Sequence, residues 1–299
     1  MPISAPYLYD RTAMAKPRAA TKAGPGAKRP RGNGRLPPVA HPLQAPLTRD
    51  SIDDPIVTYG NGLASINFLL DDGGWGRVTF EKLDAIRVCR GEYEPYESSW
   101  KDGDPLYWIS TVSRSPWLRE RYEYEKRHYG TAYGFGGDVD EMLRDFSHYI
   151  FRFHDQFVEV LSAGIWFEAD TKCIGEREPD AHHPSRDLPE SAVSGRFKAH
   201  GITWQVRENP RPMDDLLRDA AFGSQKLMQF AAELDGSSSV SWTLSLRVRE
   251  GRRTASLSSY FGKVEQSYDD VPSLSDLQPR IEAWLCEVQR RREEMGKGG

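Results

Sequence analysis

The segment from residue 148 to residue 168 constrains the fold of this chain more than any other. Tyr149, Phe151 and Phe153 occupy every second position there, between His148, Ile150, Arg152 and His154. A two-residue period of aromatic side chains is typical of a β-strand. Two further apolar runs follow at 157–161 and 165–167, separated by three small residues. We therefore predict consecutive antiparallel strands, with the small residues at 162–164 ending one of them.

Other segments extend this pattern along the chain. Short apolar stretches between residues 63 and 93 predict a β-meander. Glu–Arg and Glu–Lys pairs near helical spacing predict a helix at 117–129, and an apolar stripe predicts a short helix at 138–146. In the C-terminal half we predict amphipathic helices at 212–234 and 273–295, and between them a hairpin formed by 240–248 and 254–261. The predicted fold class is therefore α+β, with antiparallel sheets, a meander-like N-terminal half and a helix–hairpin–helix C-terminal half.

The first fifty residues differ in composition from the rest of the chain. They hold nine basic and two acidic residues, a balance of +7, whereas residues 51–299 hold 31 basic and 42 acidic residues, a balance of -11. They are also rich in Pro and Gly, and such a segment cannot bury enough apolar surface to offset the entropy of ordering. We expect residues 1–50 to form a disordered basic arm. Nucleic acid would associate only with this arm, through Lys28, Arg29, Arg31 and Arg35.

The remainder is predicted to divide at a charged, Pro-rich stretch. Residues 51–170 form a β-rich α+β domain, residues 171–195 an exposed loop or linker, and residues 196–299 an α+β domain that ends in an amphipathic helix. Whether the two halves make one domain or two stays open at this point.

Cysteine usage and hydropathy indicate the compartment. Cys89, Cys173 and Cys286 are scattered without a CxxC spacing, which favours reduced thiols over a disulfide framework. No apolar run approaches the roughly 20 residues that a membrane helix needs, and the N-terminus lacks the apolar core of a signal peptide. We therefore expect a cytoplasmic protein without membrane contact.

Sequence motifs that carry chemistry are missing. The patterns GxSxG and HExxH do not occur, and the acidic, Cys and His residues between 170 and 183 match no zinc spacing. We therefore predict no cofactor and no metal, and the balance is against an enzyme. The alternative is a hydrolase, because histidine is easily tuned near neutral pH; its residues would be Arg152, His154, Asp155 and Glu168.

An aromatic-rich segment carries the preferred function. Residues 93–135 hold 11 of the chain's 33 aromatic residues, interleaved with Arg, and Tyr, Trp and Arg are the residues enriched at binding hot spots. The sequence therefore predicts a protein-interaction module, neutralising or immunity-like in character. A basic partner would suit its acidic body by charge complementarity. The predicted contact residues are Trp100, Trp108, Arg114, Trp117, Arg121 and Tyr124.

Overall fold

Two β-sheets make up most of the described part of the chain. The computed structural model describes residues 36–50, 52–60, 64–91, 95–98, 107–129, 145–175, 177–184, 186–199, 202–234, 238–249, 251–259, 266–268, 279 and 282–283. The first sheet has eight strands in the order β2-β3-β4-β8-β7-β6-β1-β5. These strands are β1 (Val39–Leu43), β2 (Ile56–Thr58), β3 (Ser65–Leu69), β4 (Trp75–Arg90), β5 (Glu97–Ser98), β6 (Ile109–Ser113), β7 (Ser147–Arg152) and β8 (Gln156–Asp170).

The second sheet is a six-stranded meander in which each strand pairs with its neighbours in sequence, in the order β14-β13-β12-β11-β10-β9. Its strands are β9 (Val193–Ala199), β10 (Ile202–Glu208), β11 (Gln225–Leu234), β12 (Ser238–Arg249), β13 (Arg252–Ser259) and β14 (Gln266–Tyr268). Helix α1 (Pro116–Tyr129) lies between β6 and β7, and helix α2 (Met213–Asp219) lies between β10 and β11. Among the residues that the structure describes, every strand pairing is antiparallel except that of β1 with β5.

The longest pairing joins β4 to β8. It runs from Trp75 opposite Asp170 to Arg90 opposite Gln156, with a bulge between Leu83 and Ala85. Strand β8 is buried almost continuously from Phe157 to Trp166, which is typical of a central strand that is covered on both faces. This ladder therefore forms the spine of the first sheet.

Each sheet has its own hydrophobic core. The first core lies on one face of the eight-stranded sheet and includes Phe68, Trp108, Phe151 and Val160. The second includes Trp204, Phe230, Trp242 and Leu244, and helix α2 contributes Leu216 to it. Fully burying such side chains contributes about 1.5–3 kcal/mol each.

The predicted α+β class is wrong, because the described residues are mainly antiparallel β-structure with two short helices. The predicted helix at 212–234 accounts for most of the error, since α2 ends at Asp219 and β11 begins at Gln225. A bulge interrupts β11 between Lys226 and Met228. Because of the bulge, Leu227 and Phe230 both face the second core, although they are three residues apart in the sequence. Buried side chains at this spacing are also what a helix would show.

Several local predictions are confirmed. Helix α1 covers 117–129, and β12 pairs with β13 as the predicted hairpin, with Gly251 at a φ of 75° in its turn. Strands β7 and β8 are consecutive and antiparallel, but the small residues at 162–164 do not end a strand, because β8 continues through them. The predicted helices at 138–146 and 273–295 lie largely outside the described residues.

Two further observations concern expectations from the sequence. Residues 39–43, within the stretch assigned to the basic arm, form β1, which pairs with β6 in the first sheet. None of the helices in the described ranges has the length and apolar character that a membrane span requires.

The two sheets meet at a pair of glycines. Gly164 of β8 packs so closely on the turn before β11 that a Cβ atom at residue 164 would lie 2.6 Å from the Cα of Gly223. Backbone hydrogen bonding accompanies this contact, since the Ile165 N–H donates to the Phe222 carbonyl at 2.9 Å. The Glu81 carboxylate accepts the Ser224 N–H nearby, at 3.1 Å. No side chain fits between these backbones.

Replacing Gly164 by Ala should therefore destabilise the fold. The added methyl group would meet backbone atoms, including the Phe222 carbonyl at 2.9 Å, and overpacking of this kind costs about 1–3 kcal/mol. Urea denaturation of Gly164→Ala measures the loss in free energy of unfolding. The matched control is Gly195→Ala in β9, where a Cβ atom meets nothing within 4 Å. An unchanged stability of Gly164→Ala would contradict the described packing.

Candidate binding cleft

A cleft of about 450 Å³ opens beside the C-terminal half of β8. Its volume lies in the range of pockets that hold ligands or inserted side chains. We call it the β8 cleft. It is lined by Pro46, Leu47, Ile165, Trp166, Phe167, Glu168, Ala169, Arg211, Arg218, Asp219 and Phe222.

One wall of the cleft is a strand edge. Strand β7 pairs with β8 only as far as Ser162, so within the described ranges no strand pairs with the later part of β8 on that side. The Ile165 N–H points away from β4, because it donates to Phe222. Alternation along a strand then directs the backbone groups of Phe167 and Ala169 the same way. We call this edge, formed by Ile165, Phe167 and Ala169, the β8 edge.

The second wall is apolar. The rings of Phe167 and Phe222 meet edge to face with their centroids 5.1 Å apart. Pro46 and Leu47, which follow β1, complete this side. Leu47 is held in place because its carbonyl accepts a hydrogen bond of 2.9 Å from the Trp108 indole.

Polar groups converge on the third wall. The Arg211 guanidinium lies 5.1 Å from the centroid of the Trp166 ring and forms an ion pair with Asp219. Arg218 pairs with Asp215 and Asp219 at 3.1 and 3.2 Å. Two buried donors, Arg211 Nη1 and Trp166 Nε1, have no hydrogen-bond partner among the described atoms. A buried unsatisfied donor costs about 1–3 kcal/mol, so a matching acceptor would bind favourably here.

Behind the cleft, a buried ion pair fixes Glu168. Arg77 is fully buried and donates through Nε to Glu168 at 2.9 Å, and through its Nη atoms to the carbonyls of Ile174, Arg177 and Glu178. The other carboxylate oxygen of Glu168 accepts the Asp180 N–H at 2.8 Å. This guanidinium thereby attaches part of the 171–195 segment to the first sheet.

A second polar cluster lies at the opposite end of the same ladder. Glu159 is buried and accepts two hydrogen bonds from Arg87, at 2.8 and 2.7 Å, and one from Tyr96, at 3.1 Å. Nε2 of His148 lies 2.8 Å from the same carboxylate, although without the alignment of a hydrogen bond. The Arg87 guanidinium also lies 4.2 Å from the ring centroid of Trp117.

The protonation states in this cluster follow from burial and charge. Burial alone would raise the pKa of Glu159, but contacts with His148 and Arg87 outweigh it and lower the pKa to about 2. Burial lowers the pKa of His148, and the Glu159 carboxylate offsets only part of that effect. Burial and the same carboxylate raise the pKa of Tyr96 to about 12. At neutral pH the cluster therefore contains one carboxylate, one guanidinium and a neutral histidine.

Ser115 contacts His148 and His148 contacts Glu159, as the serine, histidine and acid of a catalytic triad do. Their surroundings nevertheless indicate a structural role. Ser115 Oγ lies 2.8 Å from His148 Nδ1 and also accepts the Leu118 N–H, which caps the start of α1. Ser115 is only 5% exposed and His148 only 1%. A substrate carbonyl cannot reach a nucleophile that is buried in this way.

The residues of the predicted hydrolase do not come together. His154 and Asp155 contact each other at 3.0 Å in the turn between β7 and β8, where their side chains are 57% and 65% exposed. Glu168 lies near the far end of β8, roughly 40 Å away along the strand at ~3.3 Å per residue, in its pair with Arg77. Arg152 ends β7 beside the turn. No group of three or more His, Cys, Asp or Glu in the described ranges is placed to hold a metal ion.

The predicted partner-binding residues lie in different surroundings. Trp108 is in the first core and only 2% exposed, and Trp117 packs beside Leu118. Arg121 pairs with Asp84 and Glu125 and lies 5.0 Å from the ring centroid of Tyr124, which is 42% exposed. Arg114 is exposed at the end of β6 and donates to the Pro37 carbonyl. The residues outside the described ranges are Trp100, Lys28, Arg29, Arg31 and Arg35.

Sequence reasoning missed the cleft residues Trp166, Arg211 and Phe222. The sequence does mark Arg211 as a residue with a restricted backbone, because it stands between Pro210 and Pro212.

No protein-family model, no curated protein and no solved structure matches this chain.

The Glu159 cluster predicts an acid-dependent loss of stability. Because the pKa of Glu159 is about 2 in the folded protein and ordinarily 4.5, its stabilisation is present above pH 4.5 and is lost as the pH falls towards 2. The difference in free energy of unfolding between wild type and Glu159→Gln should shrink by roughly 3 kcal/mol between pH 6 and pH 2. Urea denaturation at a series of pH values measures it.

The control for that series is Asp155→Asn, which removes an exposed carboxylate near the start of the same strand. Its difference from wild type should change much less with pH. A Glu159→Gln difference that stays constant across the acid range would contradict the assigned ionisation.

Proposed function

We propose that this chain is a protein-interaction module that binds an extended segment of a protein partner at the β8 edge. The observation that carries the proposal is the backbone of Phe167 and Ala169, which no strand of the described ranges pairs on the side away from β4 and which forms one wall of a cleft of about 450 Å³. An unpaired strand edge is a template for another strand, and addition of a partner strand is a recurrent mode of peptide recognition.

The cleft supplies what such a strand requires on either side. Main-chain hydrogen bonds to Phe167 and Ala169 would give affinity regardless of sequence. Apolar side chains of the partner would contact Leu47, Phe167 and Phe222 and exclude water from those bonds. The proposal thus places the partner contact at the cleft and not on the aromatic segment, whose Trp108 is buried in the core.

Charge supports the choice of partner. Residues 51–299 carry a formal balance of -11, and an acidic surface raises the rate of encounter with a basic protein. A module that covers the functional surface of such a partner would neutralise it. The acidic surface would therefore steer the encounter, and the β8 edge would hold the complex.

A proline at the β8 edge should abolish the complex while the fold remains. Ala169→Pro removes an N–H that points away from β4, so the ladder with β4 loses no hydrogen bond. We expect the partner that co-purifies in stoichiometric amount with wild type to bind Ala169→Pro at least about tenfold more weakly. Ala169→Val is the matched comparison, because it also enlarges the side chain but keeps the N–H, so the additional loss in the proline variant comes from the missing hydrogen bond.

Hydrogen exchange gives a second measurement. The amides of Phe167 and Ala169 should exchange quickly in the protein alone and slowly in the complex. Equal partner affinity of the proline and valine variants, or slow exchange of both amides before the partner is added, would overturn the proposal. Circular dichroism of both variants verifies that the sheets are intact.

A further inference from the structure

We infer that the partner segment is a chain terminus, and that the β8 cleft binds its C-terminal carboxylate next to an apolar last residue. This inference rests on the proposed function and specifies the chemistry that the cleft would recognise. Three features of the cleft support it: a blocked end of the β8 edge, two unsatisfied donors and a local charge balance.

The β8 edge is closed at one end. The Phe222 carbonyl already occupies the Ile165 N–H at 2.9 Å, and beyond it Gly223 packs against Gly164 without space for a side chain. A strand added alongside Phe167 and Ala169 therefore cannot continue past Ile165. A partner chain that ends at this point avoids the obstruction, whereas a continuing chain has to turn out of the cleft.

The donors near the blocked end match an acceptor and repel an amino terminus. Trp166, which follows Ile165, is 8% exposed, and its Nε1 has no partner among the described atoms; the same is true of Arg211 Nη1. Both atoms are closed to water in this conformation, so binding requires the Arg211 side chain, which keeps 14% exposure, to move and admit the carboxylate. A charge-assisted pair of donors is well suited to a carboxylate.

The local charges limit the charge that a ligand can bring. Arg211 and Arg218 are balanced by Asp215 and Asp219, and the neighbouring Glu168 is neutralised by Arg77. A carboxylate adds one negative charge, which the two donors stabilise through hydrogen bonds, whereas a phosphate dianion adds two beside the two aspartates. The apolar side chains of Leu47, Phe167 and Phe222 would contact the terminal residue's own side chain. The ligand class is therefore a peptide C-terminus that ends in an apolar residue.

The test uses short synthetic peptides and calorimetry on the full chain. The probe is acetyl-threonyl-valyl-threonyl-phenylalanine with a free carboxylate. We expect it to bind at least about tenfold more tightly than the same peptide with a C-terminal amide. A third peptide that ends in aspartate amide measures whether a side-chain carboxylate binds as well as a terminal one. Inorganic phosphate measures whether any small anion binds. Equal binding of the amide, the aspartate peptide or phosphate would overturn the inference.

Variants assign the contact to the two donors. Trp166→Phe keeps an aromatic ring without the N–H, and Arg211→Lys keeps the charge without the guanidinium. Each should weaken the free-acid peptide about tenfold and weaken the amide peptide much less, because the amide lacks the charge that strengthens these hydrogen bonds. Trp242→Phe, in the second core, is the control and should bind as wild type. In wild type, the Trp166 indole N–H resonance should shift when the free-acid peptide is added.

The two proposals fail separately. If the peptides do not distinguish acid from amide but Ala169→Pro still abolishes the partner complex, the carboxylate inference is wrong and the proposed function stands. If the free-acid peptide binds through Trp166 and Arg211 but Ala169→Pro leaves the partner complex unchanged, the site exists and the proposed function is wrong.

Discussion

The register of β4 against β8 is the constraint on which the rest of the structure depends. Two arginine–glutamate pairs are direct partners across this ladder, Arg77 with Glu168 near one end and Arg87 with Glu159 near the other. A slip of one residue would move every side chain to the opposite face and would separate both pairs. Removing the partner of a buried charge costs about 3–5 kcal/mol, so the pairs select a single register although hydrophobic burial supplies most of the stabilisation.

This register also positions the cleft. The bulge near Leu83 and the close approach of Gly164 to Gly223 lie where the second sheet meets β8. Among the described residues, the pairing of β7 with β8 stops at Ser162, just before this point, and the edge beyond lies beside Phe222. The same junction therefore holds the two sheets together and places backbone groups of β8 in the cleft.

The sequence predicts local features of this architecture well and tertiary features poorly. The alternation at 149–153 and the turn at Gly251 are local, and the corresponding strands are confirmed. The helix predicted at 212–234 is wrong because a bulge in β11 lets Leu227 and Phe230 face the same core at a sequence spacing that is also typical of a helix. The β8 cleft could not be predicted, since Leu47, Trp166 and Arg211 lie far apart in the chain. The β8 edge depends in addition on which strands pair with β8, and that is a property of the tertiary fold.

An unpaired strand edge is ordinarily a risk of aggregation, and the surroundings of the β8 edge explain how this risk is limited. The edge lies between the apolar side chains of Pro46, Leu47 and Phe222 on one side and Arg211 on the other. A strand that approaches the β8 edge has to fit between these side chains before its backbone can reach Phe167 and Ala169. The walls therefore limit which segments can pair with the edge, so that the side chains that protect the edge also select its ligand.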